Sequence, residues 1–125
     1  MLRTGLPNAD KTVIFIHGCD LKTSNASQFT HFFEAYTYMQ YKVVSIDMPG
    51  YGKSEGKAHS FRTVAILEKD GPAELIKEII QNLNLTNVTL VGYDWGGSIA
   101  LRMGVQNSNG FENIIAFMPA YGESD

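Results

Sequence analysis

Apolar residues gather in four short runs along the chain: "VIFI" (Val13–Ile16), "VVSI" (Val43–Ile46), "VTLV" (Val88–Val91) and "IIAF" (Ile114–Phe117). Each is rich in β-branched residues and apolar at successive positions, the pattern of a strand covered on both faces. Between them the spacing changes to that of a helix. Phe29, Phe32, Phe33 and Tyr36 fall on one stripe of a segment from about Ser27 to Met39. Leu75, Ile76, Ile79, Ile80 and Leu83 do the same from about Pro72 to Leu83, with Pro72 suited to a first helical turn. A third helix is expected after "GYDWGG", through "SIALRMGV". The alternation β-α-β-α-β-α-β predicts an α/β fold, with a mainly parallel sheet and helices on both faces.

In such sheets ligands bind beyond the C-terminal ends of strands, where the strand order reverses. The unusual loops fall at those ends: "HGCD" after the first run, "DMPGYGKS" after the second, "GYDWGG" after the third. The long irregular stretch "MPGYGKSEGKAHSFRTVAILEKDG" also lies at such an end, and long loops of this kind are often functional.

At 125 residues, 44% hydrophobic and 18% charged, the chain suits one soluble domain. A net charge of −3 with scattered basic residues argues against nucleic acid or anionic membrane as a partner. No apolar run approaches the ~20 residues of a membrane span. The start, "MLRTGLPNAD", lacks the apolar segment of a signal peptide. A lone cysteine, Cys19, suits a reducing compartment, so a cytoplasmic protein is expected. The sequons at Asn25, Asn84 and Asn87 would matter only in a secreted chain.

"GYDWGG" has the spacing of a nucleophile elbow, with Asp94 at its centre. A strand-to-helix turn this tight strains its central residue and crowds the residues two before and two after it. Gly92 and Gly96 relieve that crowding, and Gly97 lets the helix approach the sheet. A helix cap would also suit aspartate, but capping requires neither these glycines nor Trp95. "HGCD" would place the backbone N–H of Cys19 beside the elbow if the two strands are neighbours; with that of Trp95 it would form an oxyanion hole. His17 and Gly18 are read as loop support, His17 through a hydrogen bond that organises the turn. "GYGKS" is not a phosphate loop, because Asp47 stands where that pattern needs its first glycine. Gly50 and Gly52 are read as turn formers, with Asp47 bonding local backbone. His31 and His59 have no carboxylate arrangement that suggests catalysis. No metal and no cofactor are expected.

With "VIFIHG", "VVSIDMPGYGKSEG" and "VTLVGYDWGGSIALRM" in that order, the chain resembles the α/β-hydrolase superfamily from about Val13 to Tyr121. An aspartate elbow followed by Trp-Gly-Gly is similar to the epoxide hydrolase and haloalkane dehalogenase branch. The resemblance implies a carboxylate nucleophile that attacks saturated carbon and forms an alkyl ester on the enzyme. Water activated by a histidine would then cleave that ester. The implied substrate is a small apolar electrophile. Three departures stand out: Asp20 replaces a frequent proline, Tyr93 a frequent histidine, and Cys19 is a poor side-chain donor to halide. The last tilts the expectation toward an epoxide.

The resemblance also places a lid, a base histidine and its acid partner beyond the fourth run, and none of His17, His31 and His59 takes the base's position. Residues 1–125 are accordingly expected to be a single, partial domain, able to be alkylated at Asp94 without turnover. An incomplete sheet would also need covering, which makes a non-catalytic domain that binds a protein partner or a second copy the competing expectation.

Overall fold

The computed structural model describes residues 2–5, 8–18, 29–48 and 71–117. Within them lie five strands, β1 (Leu2–Gly5), β2 (Lys11–Ile16), β3 (Tyr41–Ile46), β4 (Val88–Tyr93) and β5 (Asn113–Phe117). Three helices, α1 (Thr30–Tyr38), α2 (Pro72–Asn82) and α3 (Trp95–Gln106), are interleaved with them. The strands form one sheet in the order β1-β3-β2-β4-β5. All neighbours run parallel except β1, which is antiparallel to β3.

Because side chains alternate along a strand, the apolar runs feed two separate cores. Ile14, Ile16, Val44, Ile46, Val88 and Leu90 face α2 and α3 and join Ile76, Trp95, Ile99 and Met103. Val13, Phe15, Val43 and Val91 face the other way, toward Phe29, Phe33 and Tyr36. Helices therefore cover both faces, as the alternation of periods predicts. Phe15 anchors the second core, its ring 4.9 Å from that of Phe29 and 5.5 Å, edge-on, from that of Tyr36. Such aromatic pairs add about 0.5–1.5 kcal/mol each beyond the area they bury.

α2 starts where its sequence directs, with Gly71 at the N-cap and Pro72 in the first turn; Leu83 closes it. Two elements differ from expectation. β1 has no counterpart among the apolar runs, since "LRTG" is short and largely polar and forms an edge strand of the described sheet. β5, expected to be covered on both faces, is the opposite edge: Ile114, Ile115 and Ala116 are half-buried and Phe117 is exposed. On α1, Phe32 likewise lies 46% exposed although it shares the apolar stripe.

The strand order reverses at β2. From there the chain passes to β3 on one side and then to β4 on the other. β2 and β4 are direct neighbours, with Ile16 opposite Gly92, so the turns that follow them face each other across the switch point.

Candidate active site

β4 ends at Tyr93 and α3 begins at Trp95, leaving one residue to reverse the chain. That residue, Asp94, has φ 56 and ψ −118. The pair lies outside the regions open to residues with a Cβ, at a cost on the order of 1–3 kcal/mol. Backbone bonds on both sides hold it there. Its N–H donates to the carbonyl of Phe117 at 2.9 Å, and its own carbonyl accepts from the N–H of Ser98 at 3.1 Å. Its side chain makes no capping bond to α3. Helix capping, which uses extended backbone and a side-chain acceptor, does not account for this conformation.

The glycines explain how so tight a turn is tolerated. A Cβ on Gly92 would stand 2.7 Å from the nitrogen of Gly97 and closer still to the carbonyl of Gly96. A Cβ on Gly96 would stand 2.6 Å from the carbonyl oxygen of His17 and closer still to that of Ile16. Thus the first turn of α3 rests on β4 at Gly92 and on the end of β2 at Gly96. Gly97 is buried in that same turn. Trp95 opens the helix with its side chain buried in the core, so what it presents at the elbow is its backbone.

His17 and Gly18 follow β2 and are both buried. The N–H of Met48 donates to Nε2 of His17 at 2.9 Å, and Nδ1 lies 2.6 Å from the carbonyl oxygen of Gly18. Burial holds the imidazole pKa below its ordinary value, opposed by the Gly18 carbonyl and by the field of Asp47. Asp47 itself is buried at the end of β3. The switch point thus gathers Asp94, Trp95, His17 and Gly18. Cys19, Gly50, Gly52 and His59 lie outside the described residues. His31 is exposed on α1. Among the described residues, no three His, Cys, Asp or Glu side chains form a metal site, and no helix is long and apolar enough to cross a membrane.

Two contributors leave no trace in the sequence. Met48 and Phe117 act through backbone groups, the first on His17 and the second on Asp94. Neither role depends on side-chain identity, so only the paired strands reveal it.

A mostly parallel sheet with a one-residue turn at its switch point, and glycine two positions to either side, has the form of a hydrolase-type α/β core. The chain belongs to the alpha/beta hydrolase fold family, whose profile matches residues 11–122. Epoxide hydrolase 4 of Mus musculus is 35% identical over 68 residues, 53% of this chain and 17% of that protein. A haloalkane dehalogenase of Psychrobacter cryohalolentis is 27% identical over 110 residues, 88% of this chain and 34% of its own length. Among solved structures, an esterase from Exiguobacterium antarcticum superposes with a TM-score of 0.74 at 27% identity, over 96% of this chain and 41% of its own. The chain therefore spans less than half the length of each of these relatives. Their names cover three chemistries, so membership establishes the fold and the superfamily, not the bond that is broken.

Proposed function

We propose that Asp94 is a carboxylate nucleophile and that the chain carries the attacking half of an epoxide hydrolase-like site. The observation that supports this most is the strained backbone of Asp94, held at φ 56 without any capping bond to repay it. Strain of that kind persists where a side chain must be held at a defined point, and an elbow aims it clear of the sheet. Carboxylate chemistry then suggests the substrate class. Asp94 attacks the less hindered carbon of an epoxide, the C–O bond breaks, and the alkoxide takes a proton from a nearby acid or from water. The product is a hydroxyalkyl ester of Asp94.

Hydrolysis of that ester needs a base. Of the described histidines, His17 has both ring nitrogens engaged and His31 is exposed on α1. With no base among the described histidines, the chemistry proposed for these residues is formation of the ester at Asp94. The backbone amides of Cys19 and Trp95 are proposed as the oxyanion hole of the second half-reaction, and the chain as one partial domain acting in a reducing compartment. Incubation with a reactive epoxide should add the epoxide's mass at Asp94, read by peptide mass spectrometry. Labelling that persists unchanged in Asp94→Asn would sink the assignment. Halide release from a haloalkane, with no reaction at an epoxide, would instead select dehalogenase chemistry.

A second reading rests on β5. Among the described residues it is paired on one side only; its last residue, Phe117, is 45% exposed, and Val105 of α3 is 85% exposed. Those surfaces suit a hydrolase-like domain that docks on another chain. Sedimentation of the purified protein distinguishes the two, since a stable monomer with cooperative melting argues against any need for a partner.

A further inference from the structure

His17 bonds in two directions, and the two bonds together determine where its proton sits. A carbonyl oxygen can only accept, so the contact between Nδ1 and Gly18 requires a proton on Nδ1. An amide N–H can only donate, so the contact between Met48 and Nε2 requires a bare Nε2. The ring is a neutral Nδ1–H imidazole.

The span of these bonds gives them their importance. Met48 is 31 residues from His17 and follows β3, the neighbour of β2 on the side away from the elbow. Ile46, Ile16 and Gly92 stand level across three adjacent strands. On the elbow side, Gly96 rests against the carbonyls of Ile16 and His17. His17 is thus the middle member of a row running from the loop after β3, through the turn after β2, to the first turn of α3.

We propose that neutral His17 is the positioning residue that ties the backbone at Met48, just after β3, to Gly18, just after β2, and that a second proton on its ring releases that tie. Imidazolium carries N–H at both nitrogens, so Nε2–H would meet the N–H of Met48, donor against donor. The Gly18 contact survives protonation; the Met48 contact does not. The backbone at Met48 then loses its bond to the ring while Gly18 keeps its own. Burial resists the second proton, and the Gly18 carbonyl and Asp47 favour it. Asp47, at the end of β3, is the charged group acting on the ring among the described residues. The tie therefore holds at neutral pH and gives way on the acid side. Its effect on reaction at Asp94 rests on the nucleophile reading above; the tie itself does not.

Two measurements on the full chain test the proposal separately. In the ¹⁵N-labelled protein, long-range ¹H–¹⁵N correlation identifies the His17 tautomer, and amide exchange gives protection of Met48 across pH 8 to 4.5. The expected result is the Nδ1–H form at high pH and a loss of Met48 protection that follows His17 titration, while Val91 in β4 stays protected. An Nε2–H tautomer, or Met48 protection unchanged through that titration, would overturn the tie. The second measurement is the rate of epoxide addition to Asp94 against pH. Wild type should lose rate on the acid side with the His17 titration, and His17→Gln, which retains an acceptor for Met48 but does not titrate, should lack that limb. The same limb in His17→Gln would assign it to another group and refute the positioning role. No addition at any pH, with the NMR outcome as expected, would refute the nucleophile and leave the tie standing.

Discussion

Gly96 of α3 touches the backbone that leads into His17, with a missing Cβ as the only clearance: an added carbon would lie 2.6 Å from the His17 carbonyl oxygen. Gly92 stands in the same relation to the Gly96 and Gly97 backbone. Neither neighbour is a side-chain tip that could swing away, so α3 or the end of β2 has to move. Gly92→Ala and Gly96→Ala should each lower stability by about 1–3 kcal/mol. Urea unfolding measures this as a lower midpoint at unchanged slope. An unchanged midpoint in Gly96→Ala would mean that the turn yields freely.

Asp94 offers a test with an unusual sign. An aspartate that caps a helix stabilises it, and replacement by alanine costs about 0.5–2 kcal/mol. An aspartate forced to φ 56 is a burden that glycine removes. Asp94→Gly should therefore raise stability, by about 1 kcal/mol, while abolishing addition of an epoxide. A lower melting temperature in both Asp94→Gly and Asp94→Ala would restore capping as the reason for this residue.

The pH dependence of stability follows from the burial of His17. Its folded pKa lies below the ordinary 6.5. Between the two values the unfolded chain binds the proton and the folded chain does not, so stability rises with pH there. The contribution is complete above about 6.5 and is lost as pH falls from that point toward the folded pKa. Thermal melting from pH 8 to 5 should show this decline in wild type and a shallower one in His17→Gln. Equal slopes would exclude His17 as the cause.

Two buried hydroxyls carry an opposite expectation. Thr12 and Thr89 are 0% and 3% exposed, and the Oγ1 of each has no hydrogen-bond partner among the described residues. Valine matches threonine in shape without the desolvated hydroxyl. Thr12→Val and Thr89→Val should each stabilise the chain by about 1 kcal/mol. Thr89 pairs with Val13, the residue after Thr12, so the two hydroxyls lie on opposite faces of the sheet. Their gains should accordingly add in the double variant. A loss of stability in either would indicate that its hydroxyl is bonded in solution.

What the sequence reveals of this molecule, and what it conceals, separates along physical lines. α2 is legible residue by residue, because Pro72 and the stripe from Leu75 to Leu83 are local signals. The elbow is legible because a one-residue turn demands small neighbours, and Gly92 and Gly96 are the imprint of contacts the sequence cannot otherwise display. β5 is misread as a covered strand because "IIAF" has the composition of a core strand; its exposure depends on which strands stand beside it. β1 is missed for the complementary reason, since "LRTG" forms a strand by pairing with β3 and not by any pattern of its own. The tautomer of His17 is the least legible feature, set by a backbone amide that any residue but proline would supply at position 48.

The pairing of β2 with β4 has a consequence for how the chain folds. Nothing next to Asp94 in the sequence compels its conformation. The constraint comes from Ile16 and His17 beneath Gly96 and from Phe117 bonded to its amide, on strands that precede and follow β4. Such contacts form only after long loops have closed, the slow part of assembling a parallel sheet. A partly folded chain with β4 and α3 formed but β2 unpaired would let Asp94 relax to ordinary backbone angles. The elbow should thus be completed late in folding, and local opening at either neighbouring strand should release it.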